Sequence, residues 1–267
     1  MTIKEALESA EIERLDAEIL LSSILGQRRE YLIAHSEDDL SVEDTFTWKE
    51  CQQRRIDKEP VAYITGVKEF YGQDFAVDEN VLIPRPATEG LVDLALDFLH
   101  TGKKEIRDID TDVIAIAVPI GDMNDVQAVV DVGTGSGCIA ITIKSQRPDL
   151  ELYATDISTN ALVVAKKNAE QCVVKIYNSE GSLLEPMKNI RKPFIVVSNP
   201  PYIPTTETLM KDVADYEPHL ALFSGLDGGD IIRELIEQAT AHPMCRGIVV
   251  ECKKEHRSLF EKIQRST

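Results

Sequence analysis

The sequence contains few cysteines, few basic residues and no long apolar segment, and each shortage excludes a class of protein. Its five cysteines are scattered without a Cys-x-x-Cys pair, which argues against a disulfide framework or a zinc site and favours a reducing compartment. The longest apolar run, Val113 to Ile120, is far too short for a membrane-spanning helix, and the first residues lack the apolar core of a signal peptide. We therefore expect a soluble cytoplasmic protein, or a mitochondrial-matrix protein if the chain is organellar, with no membrane partner.

Positive charge is also scarce. The 267 residues include 29 Lys and Arg against 46 Asp and Glu, which gives a formal net charge of −17. Because nucleic-acid phosphates are bound by Lys and Arg, we expect no direct nucleic-acid partner. The five histidines are isolated and lack metal-ligand spacing, so no metal site is expected. We also expect the protein to be a monomer.

The first part of the chain divides into two regions. Residues 1–59 carry a capping box from Thr2 to Glu5 and apolar residues at helical spacing, which predicts a small all-helical domain. No residue in it points to chemistry, and we interpret it as a substrate-docking domain. Residues 60–86 are interpreted as a β-hairpin linker, because the segments 61–66 and 70–77 are β-branched and aromatic and are punctuated by glycines.

The third region, residues 87–267, is interpreted as the catalytic domain. Within it, residues 101–127 are interpreted as a partly mobile surface insertion, because charged turns surround their apolar stretch. From Ala128 onward, strand and helix patterns alternate as in a doubly wound, mostly parallel sheet, so the predicted fold class is α/β and Rossmann-like. The predicted strands are residues 128–132, 151–155, 173–177, 194–198 and 247–251. The predicted helices are residues 137–146, 158–170 and 229–240.

A glycine-rich loop lies between the first of these strands and the first helix. It comprises Asp131, Val132, Gly133, Thr134, Gly135, Ser136 and Gly137. Glycines let a ligand lie against the backbone, and Asp156 ends the next strand, where an acid can bind the hydroxyls of a ribose. A dinucleotide fingerprint would need Gly or Ala where Cys138 stands. The spacing with its leading Asp131 suits a cofactor without pyrophosphate, whose ammonium needs a carboxylate, and S-adenosylmethionine meets this description.

The segment Asn199-Pro200-Pro201-Tyr202 follows a short buried strand, and its prolines make it rigid and extended. The Asn199 carboxamide oxygen and the Pro200 carbonyl can together accept both hydrogens of a planar –NH₂ group, with Tyr202 packed against its face. Such a loop aims a weak nitrogen nucleophile at an electrophile, which is catalysis by orientation. We therefore predict Asn199, Pro200 and Tyr202 as catalytic, Pro201 as a further substrate contact, and Asn199 as a contact of the cofactor as well.

The planar –NH₂ group can belong to an amide or to a nucleic-acid base, such as adenine N6 or guanine N2. The net charge of −17 argues against the base. A third hypothesis is that the protein is a non-catalytic binding module with the same fold.

Together with other segments, these motifs resemble the HemK/PrmC group of protein-(glutamine-N5) methyltransferases, which modify peptide-chain release factors. The further matching segments are Pro60–Gly66, Glu69–Gly72, Leu82–Pro86, Tyr216–Pro218, Ala221–Leu222 and Gly225–Gly228. The match covers most of residues 1–252. The Tyr-Ile-Thr-Gly and Pro-Arg-Pro elements are more specific to this group than Asn-Pro-Pro-Tyr, which DNA-adenine and some ribosomal-RNA methyltransferases share.

The resemblance implies a helical N-terminal domain, a hairpin linker and a class I methyltransferase domain that uses S-adenosylmethionine. It implies that the substrate is the Gln side chain in the Gly-Gly-Gln loop of class-1 release factors, held by Asn199 and Pro200, with Arg85 as a further substrate contact. Residues 133–137 and Asp156 would bind the cofactor. Ser182 and Leu183 would lie near its adenine.

Four features depart from the pattern of that family. Ala87 stands where the family usually has the first Glu after Pro-Arg-Pro, and Ser182 stands where it usually has Asp. The insertion at 101–127 is longer than expected. The chain ends shortly after Leu259-Phe260-Glu261, where the family adds a final antiparallel strand pair, so we expect an incomplete sheet edge and core. These departures leave open the hypothesis that the protein is a catalytically lapsed binding module.

Overall fold

The computed structural model describes residues 1–263, and the chain divides into two compact units. The first unit contains Met1–Val67 and Leu209–Tyr216, and the second contains Lys68–Thr208 and the chain from Glu217 onward. The helical unit therefore takes in a short segment from the second half of the chain. Within residues 1–263, no helix has both the length and the apolar character needed to cross a membrane.

The N-terminal part of the first unit is helical, as predicted. Its helices are α1 (Ile3–Glu8), α2 (Arg14–Leu25), α3 (Arg29–Ala34), α4 (Val42–Ile56) and α5 (Val61–Thr65). The predicted capping box is present, because Glu5 N donates to Thr2 Oγ1 at 3.1 Å and Thr2 N donates to Glu5 Oε2 at 2.9 Å. Trp48 of α4 is buried in one cluster with Leu20 and Leu21 of α2, so an apolar core holds this unit together.

The segment 61–66 is helical, and its prediction as the first strand of a hairpin is wrong. Helix α5 begins directly after Pro60, whose φ of −59° suits a helix start, and ends at Gly66, which has a left-handed φ of 72°. In so short a β-branched and aromatic run, periodicity does not separate strand from helix, and the flanking Pro and Gly decide the outcome.

The hairpin consists of β1 (Val67–Phe70) and β2 (Gln73–Ala76). The buried rings of Phe70 and Phe75 meet edge to face, with their centroids 6.1 Å apart. The end of β2 is fixed by Asn168, which accepts a hydrogen bond from Ala76 N at 2.8 Å and donates one to Ala76 O at 2.9 Å. The hairpin is thus tied to the sheet-bearing part of the second unit.

A seven-stranded sheet forms the centre of the second unit. In chain order, the remaining helices and strands are α6 (Pro86–Thr101), β3 (Glu105–Asp108), β4 (Val113–Pro119), β5 (Ala128–Val132), α7 (Cys138–Gln146), β6 (Glu151–Asp156), α8 (Thr159–Gln171), β7 (Tyr177–Glu180), β8 (Phe194–Ser198), α9 (Lys211–Ala214, in the first unit), α10 (Asp230–Ala241) and β9 (Cys245–Lys253). Segments of 3₁₀ helix lie at Met123–Asp125, Glu185–Met187, His219–Ala221 and Lys254–Lys262. The strand order is β3-β4-β9-β8-β5-β6-β7, and β5 to β9 are parallel.

Apolar side chains are buried on both faces of this sheet. Val129 of β5 belongs to a cluster that includes buried residues of α6 and α7, whereas Val130 belongs to a second cluster that includes buried residues of α10. Neighbouring residues of a strand point to opposite faces, so both faces are covered, as parallel sheets require. The predicted α/β class, with a doubly wound and mostly parallel Rossmann-like sheet, is confirmed.

Residues 101–127 contain two strands of the sheet, β3 and β4, so their prediction as a partly mobile surface insertion is wrong. Strand β4 pairs antiparallel with β9, from Val113 opposite Lys253 to Pro119 opposite Gly247, and with β3 on its other side. The apolar run is continuous because β4 is buried on both faces. An antiparallel pair, β3 and β4, thus extends the sheet beyond β9, and the expectation of an incomplete sheet edge is also wrong.

The strand predicted at 173–177 lies further along the chain, at β7. Val173 has a left-handed φ of 55°, and its N–H donates to the Glu170 carbonyl at 3.2 Å, so this residue lies in the turn that follows α8. Val174 and Ile176 pack against the core from the connection, and their apolar character reflects this packing. The other predicted strands overlap β5, β6, β8 and β9, and the predicted helices overlap α7, α8 and α10.

Candidate active site

A cleft lies at the carboxyl ends of the central strands of the second unit. The chain passes from β5 outward through β6 to β7 and then returns to the other side of β5 as β8, so the strand order reverses between β5 and β8. Ligands of open α/β sheets bind at such a switch point. The cleft is lined by these residues that the sequence predicts: Arg85, Gly133, Thr134, Gly135, Ser136, Asp156, Ser182, Leu183, Asn199, Pro200 and Pro201. Three other predicted residues, Asp131, Gly137 and Tyr202, do not line it.

The glycine loop forms one wall of this cleft. Gly133 and Gly135 have left-handed φ values of 71° and 54°, and a Cβ added at either would meet no heavy atom within 4 Å. At Gly137, by contrast, a Cβ would stand 3.1 Å from the Cβ of Ala165. The first two glycines therefore leave space for a ligand against the backbone, and the third allows close packing against α8.

Asp131 lies beneath the loop and is fully buried. Its Oδ2 accepts hydrogen bonds from Thr134 Oγ1 at 2.6 Å and from Ala140 N at 3.2 Å. Its Oδ1 has no hydrogen-bond partner among the described residues. Burial raises the pKa of Asp131 to about 7, against the lowering effect of those two hydrogen bonds. The contacts that the structure gives this carboxyl hold the loop in shape from below.

Asp156 faces the cleft at the end of β6. Its Oδ2 accepts from Gly135 N at 2.9 Å, and its Oδ1 accepts from Ser158 N at 2.9 Å. Burial raises the pKa of this carboxyl, and the backbone hydrogen bonds oppose the rise. The glycine loop and Asp156 thereby fix each other, with a carboxylate presented to any ligand that lies on the loop.

Ser182 and Leu183 line the cleft beside Asp156. Leu183 has a left-handed φ of 48°, which is unusual for a residue with a branched side chain. Its carbonyl accepts a hydrogen bond from Thr155 Oγ1 at 2.8 Å, which helps to hold this conformation. Asn80 and Val81 also line the cleft, and the sequence did not single them out because the connection after β2 carries no motif.

Asn199 lies at the opposite end of the cleft, directly after β8. Its Nδ2 donates to Thr88 Oγ1 at 3.1 Å, which leaves Oδ1 as the carboxamide atom that can accept from a ligand. Pro200 and Pro201 line the cleft next to it. No hydrogen bond within residues 1–263 uses the carbonyl of Pro200, so this carbonyl is a second acceptor.

Tyr202 is directed away from the cleft and into the protein. Its hydroxyl donates to Glu251 Oε1 at 3.0 Å, and burial raises the pKa of Tyr202 above its ordinary value. The structure therefore gives Tyr202 a contact behind the Asn-Pro-Pro segment. The predicted stacking of its ring on a bound amide stays a prediction.

Arg85 is held at the cleft by a buried carboxylate. Its guanidinium bonds to Glu217, which is only 4% exposed and also accepts from Ile83 N at 3.3 Å. This arrangement fixes a positive charge at the rim. It also brings together Arg85 and Glu217, which are 132 residues apart in sequence.

Two residues of the site, Thr88 and Glu251, were missed as functional candidates. Thr88 forms a hydrogen bond with Asn199, 111 residues away in sequence, and no local pattern announces such a contact. Glu251 left a detectable signal, because it is an acidic residue inside the apolar run of β9, where a charge is costly to bury without a partner.

Comparison with known proteins gives two family models that match this chain. The PrmC N-terminal domain matches residues 2–66, and the methyltransferase small domain matches residues 105–215. The second match includes β3 and β4, in agreement with their place in the sheet.

Several curated proteins named release factor glutamine methyltransferase are similar to the chain. The protein from Koribacter versatilis is 37% identical over 253 residues, which are 91% of this chain and 82% of that protein. The protein from Leptospira interrogans is 41% identical over 244 residues, covering 88% and 77% of the two chains. The protein from Neisseria gonorrhoeae is 36% identical over 241 residues, covering 90% and 80%.

Proposed function

The chain belongs to the family of release factor glutamine methyltransferases, and we propose that it methylates the N5 atom of the Gln in the Gly-Gly-Gln loop of a class-1 release factor, with S-adenosylmethionine as the methyl donor. The proposal is supported chiefly by the hydrogen bonding of the Asn199 carboxamide. Its amide nitrogen is engaged by Thr88, so its oxygen is available to accept a hydrogen bond from a substrate amide.

The residues of the cleft fit S-adenosylmethionine. The open backbone at Gly133 and Gly135 leaves room for the methionine part, and Asp156 offers a carboxylate to ribose hydroxyls. Leu183 offers an apolar surface to the adenine, although Ser182 lacks the carboxylate that the family usually has there. When bound, this cofactor supplies a sulfonium methyl group that is already strongly electrophilic.

The protein's part in the reaction is to orient the amide nitrogen. Asn199 Oδ1 and the Pro200 carbonyl accept the two hydrogens of the substrate –NH₂ group and so direct its lone pair along one line. Because the prolines make the Pro200 carbonyl rigid and Thr88 holds the Asn199 carboxamide, little freedom is lost when the substrate binds. Effective concentrations gained by such orientation can be worth several powers of ten in rate.

No strong base is needed at this end of the cleft. The raised pKa of Tyr202 keeps its hydroxyl protonated at neutral pH, so it does not serve as a base. The proton that leaves the nitrogen after methylation passes to solvent. Among the groups named at the site, the acceptors therefore act by position and not by proton transfer.

We also propose that the helical unit docks the release factor and that the protein works as a cytoplasmic monomer without binding nucleic acid. The net charge of −17 supports the last point, because a base-modifying enzyme needs Lys and Arg for phosphates. The apolar side chains of Ile33 and Phe46, which are 78% and 62% exposed in the helical unit, support a docking surface there.

Transfer of a labelled methyl group tests the proposal. The purified protein is incubated with labelled S-adenosylmethionine and either a release factor or the same factor with Gln→Ala in its Gly-Gly-Gln loop. We expect label on the unaltered factor alone. Equal labelling of both factors, or no labelling while the cofactor still binds in calorimetry, would refute the assignment of this glutamine as the acceptor.

A further inference from the structure

Glu251 is a buried carboxyl group for which the reaction scheme above has no use. It lies in β9 between Val250 and Cys252, which are fully buried, and is itself only 1% exposed. Its Oε1 accepts a hydrogen bond from Tyr202, whereas its Oε2 is buried without a hydrogen-bond partner among the described residues. A carboxylate in such a place destabilises the fold, so its presence calls for a functional reason.

Glu251 also lies close to Asn199 and to the hydroxyl groups of Thr88 and Tyr202. The Thr88 hydroxyl, the Tyr202 hydroxyl and the Asn199 carboxamide are all near enough to lower its pKa. Thr88 Oγ1 already accepts from Asn199 Nδ2 at 3.1 Å, so the single hydroxyl hydrogen of Thr88 remains available for an acceptor. The Thr88 hydroxyl helps to lower the pKa of Glu251, so this carboxylate is the candidate acceptor for that hydrogen.

We propose that ionised Glu251 is a positioning residue that selects the orientation of the Asn199 carboxamide, by accepting hydrogen bonds from Thr88 and Tyr202. This inference rests on the proposed function and deepens it. An ionised carboxylate can only accept hydrogen bonds. It therefore keeps the Thr88 hydroxyl hydrogen directed toward itself and the Thr88 oxygen directed toward Asn199. Asn199 then donates its –NH₂ group to that oxygen, and its Oδ1 is left for the substrate.

When the Glu251 carboxylate is lost, we expect the Asn199 carboxamide to lose its fixed orientation. A neutral group at this place can donate to Thr88, which then donates in turn to Asn199. A carboxamide has nearly the same shape after its oxygen and nitrogen are exchanged, so Asn199 can turn around at little steric cost. Its –NH₂ group would then face the –NH₂ group of the substrate, and two donors cannot bond to each other.

The charge state of Glu251 responds to its surroundings. Burial raises the pKa of Glu251 to about 7, and Arg85 partly opposes that rise. The other titratable groups in electrostatic contact with it are the Tyr202 hydroxyl and the thiols of Cys138 and Cys252, whose pKa values burial also raises, so they stay neutral near pH 7. The orienting carboxylate is therefore present above about pH 7 and lost below it.

The first test compares Glu251→Gln with Glu170→Gln, a matched change at an exposed glutamate of α8. For Glu251→Gln we expect kcat for release-factor methylation to fall about 10- to 100-fold, with cofactor binding unchanged, because orientation alone is lost. The wild-type rate should fall as pH falls through about 7, and the variant should lose this step. A Glu251→Gln enzyme with wild-type kcat and pH profile would overturn the proposal.

The second test needs no release factor. The side-chain amide resonances of Asn199 are identified by their absence in Asn199→Ala and followed by NMR in the wild-type protein between pH 5 and pH 9. We expect them to shift with one ionisation near neutral pH, and not to shift in Glu251→Gln. If the chemical shifts of these resonances do not change with pH in the wild type, the proposal is overturned. If they titrate as expected but the release factor receives no methyl group, the proposed substrate fails and the positioning role stands.

Discussion

The two ends of the cleft hold their ligand-facing groups in different ways. At the glycine-loop end, Asp156 is fixed by backbone amides, those of Gly135 and Ser158, each at 2.9 Å. At the other end, Asn199 is fixed by a side chain, the Thr88 hydroxyl at 3.1 Å, which in turn lies beside Glu251. One end is therefore built into the backbone turn, whereas the other depends on a short network of side chains.

We propose that this difference separates binding from catalysis. A backbone-held carboxylate provides steady affinity for a ligand, and substitutions there should change the dissociation constant. A side-chain network decides only which atom of Asn199 faces the substrate, and substitutions there should change the rate.

Asn199→Ala should lower kcat about 1000-fold, because it removes one of the two acceptors that orient the amide. The dissociation constant of the cofactor should change by less than about threefold, since the glycine loop and Asp156 remain intact. Single-turnover methylation and calorimetry measure the two quantities. A variant that keeps wild-type turnover would show that Asn199 does not orient the substrate.

Asp156→Ala should weaken cofactor binding about 30- to 100-fold, because hydrogen bonds to a charged group contribute about 1.5–3 kcal/mol. At saturating cofactor, kcat should stay within about threefold of the wild-type value, since Asn199 is untouched. Calorimetry with S-adenosylhomocysteine gives the affinity, and Asp149→Ala, at an exposed aspartate, is the control. An unaltered dissociation constant would refute the ribose assignment.

Thr88→Val should lower kcat about tenfold, because Asn199 Nδ2 loses its acceptor while the shape of the site is kept. Thr142→Val is the matched control. Thr142 is also buried, but its Oγ1 has no partner among the described residues, so we expect unchanged kcat there and a gain in stability of about 1 kcal/mol. Equal kcat in the two variants would remove Thr88 from the network.

Glu251→Gln should stabilise the fold at high pH. The folded pKa of Glu251, about 7, lies above its ordinary value of 4.5, so stability is lost as pH rises from about 4.5 through about 7. The variant lacks this loss, and by pH 8 it should exceed the wild type by up to about 3 kcal/mol, since one pKa unit corresponds to about 1.4 kcal/mol. Urea unfolding at pH 5 and pH 8 measures the difference. A variant that is less stable than the wild type at pH 8 would contradict the assignment of a costly buried charge.

The parts of the site that could be predicted from sequence are those carried by short motifs at strand ends. The glycine loop, Asp156 and Asn199 each follow a strand that the apolar pattern locates, and parallel strands bring their carboxyl ends together. The parts that could not be predicted depend on contacts between distant segments. Thr88 and Asn199 are 111 residues apart, and no local pattern records that pairing.

The errors in the predicted fold also arise from contacts that a local sequence pattern does not record. The apolar run of β4 does not show whether it has a neighbouring strand, and only its pairing with β9 makes it part of the sheet. In α5, β-branched and aromatic residues favour a strand, but Pro60 and Gly66 cap a helix. In both cases the tertiary setting overrides local propensity.

A double-mutant cycle with Asp156→Ala and Asn199→Ala tests the separation of the two ends most directly. Cofactor affinity by calorimetry and single-turnover methylation at saturating cofactor are measured for the wild type, both single variants and the double variant. We expect the double variant to have the affinity of Asp156→Ala and the rate of Asn199→Ala, each within about twofold. A rate or affinity that departs from these values by about tenfold or more would contradict it, because binding and orientation would then be a single coupled function.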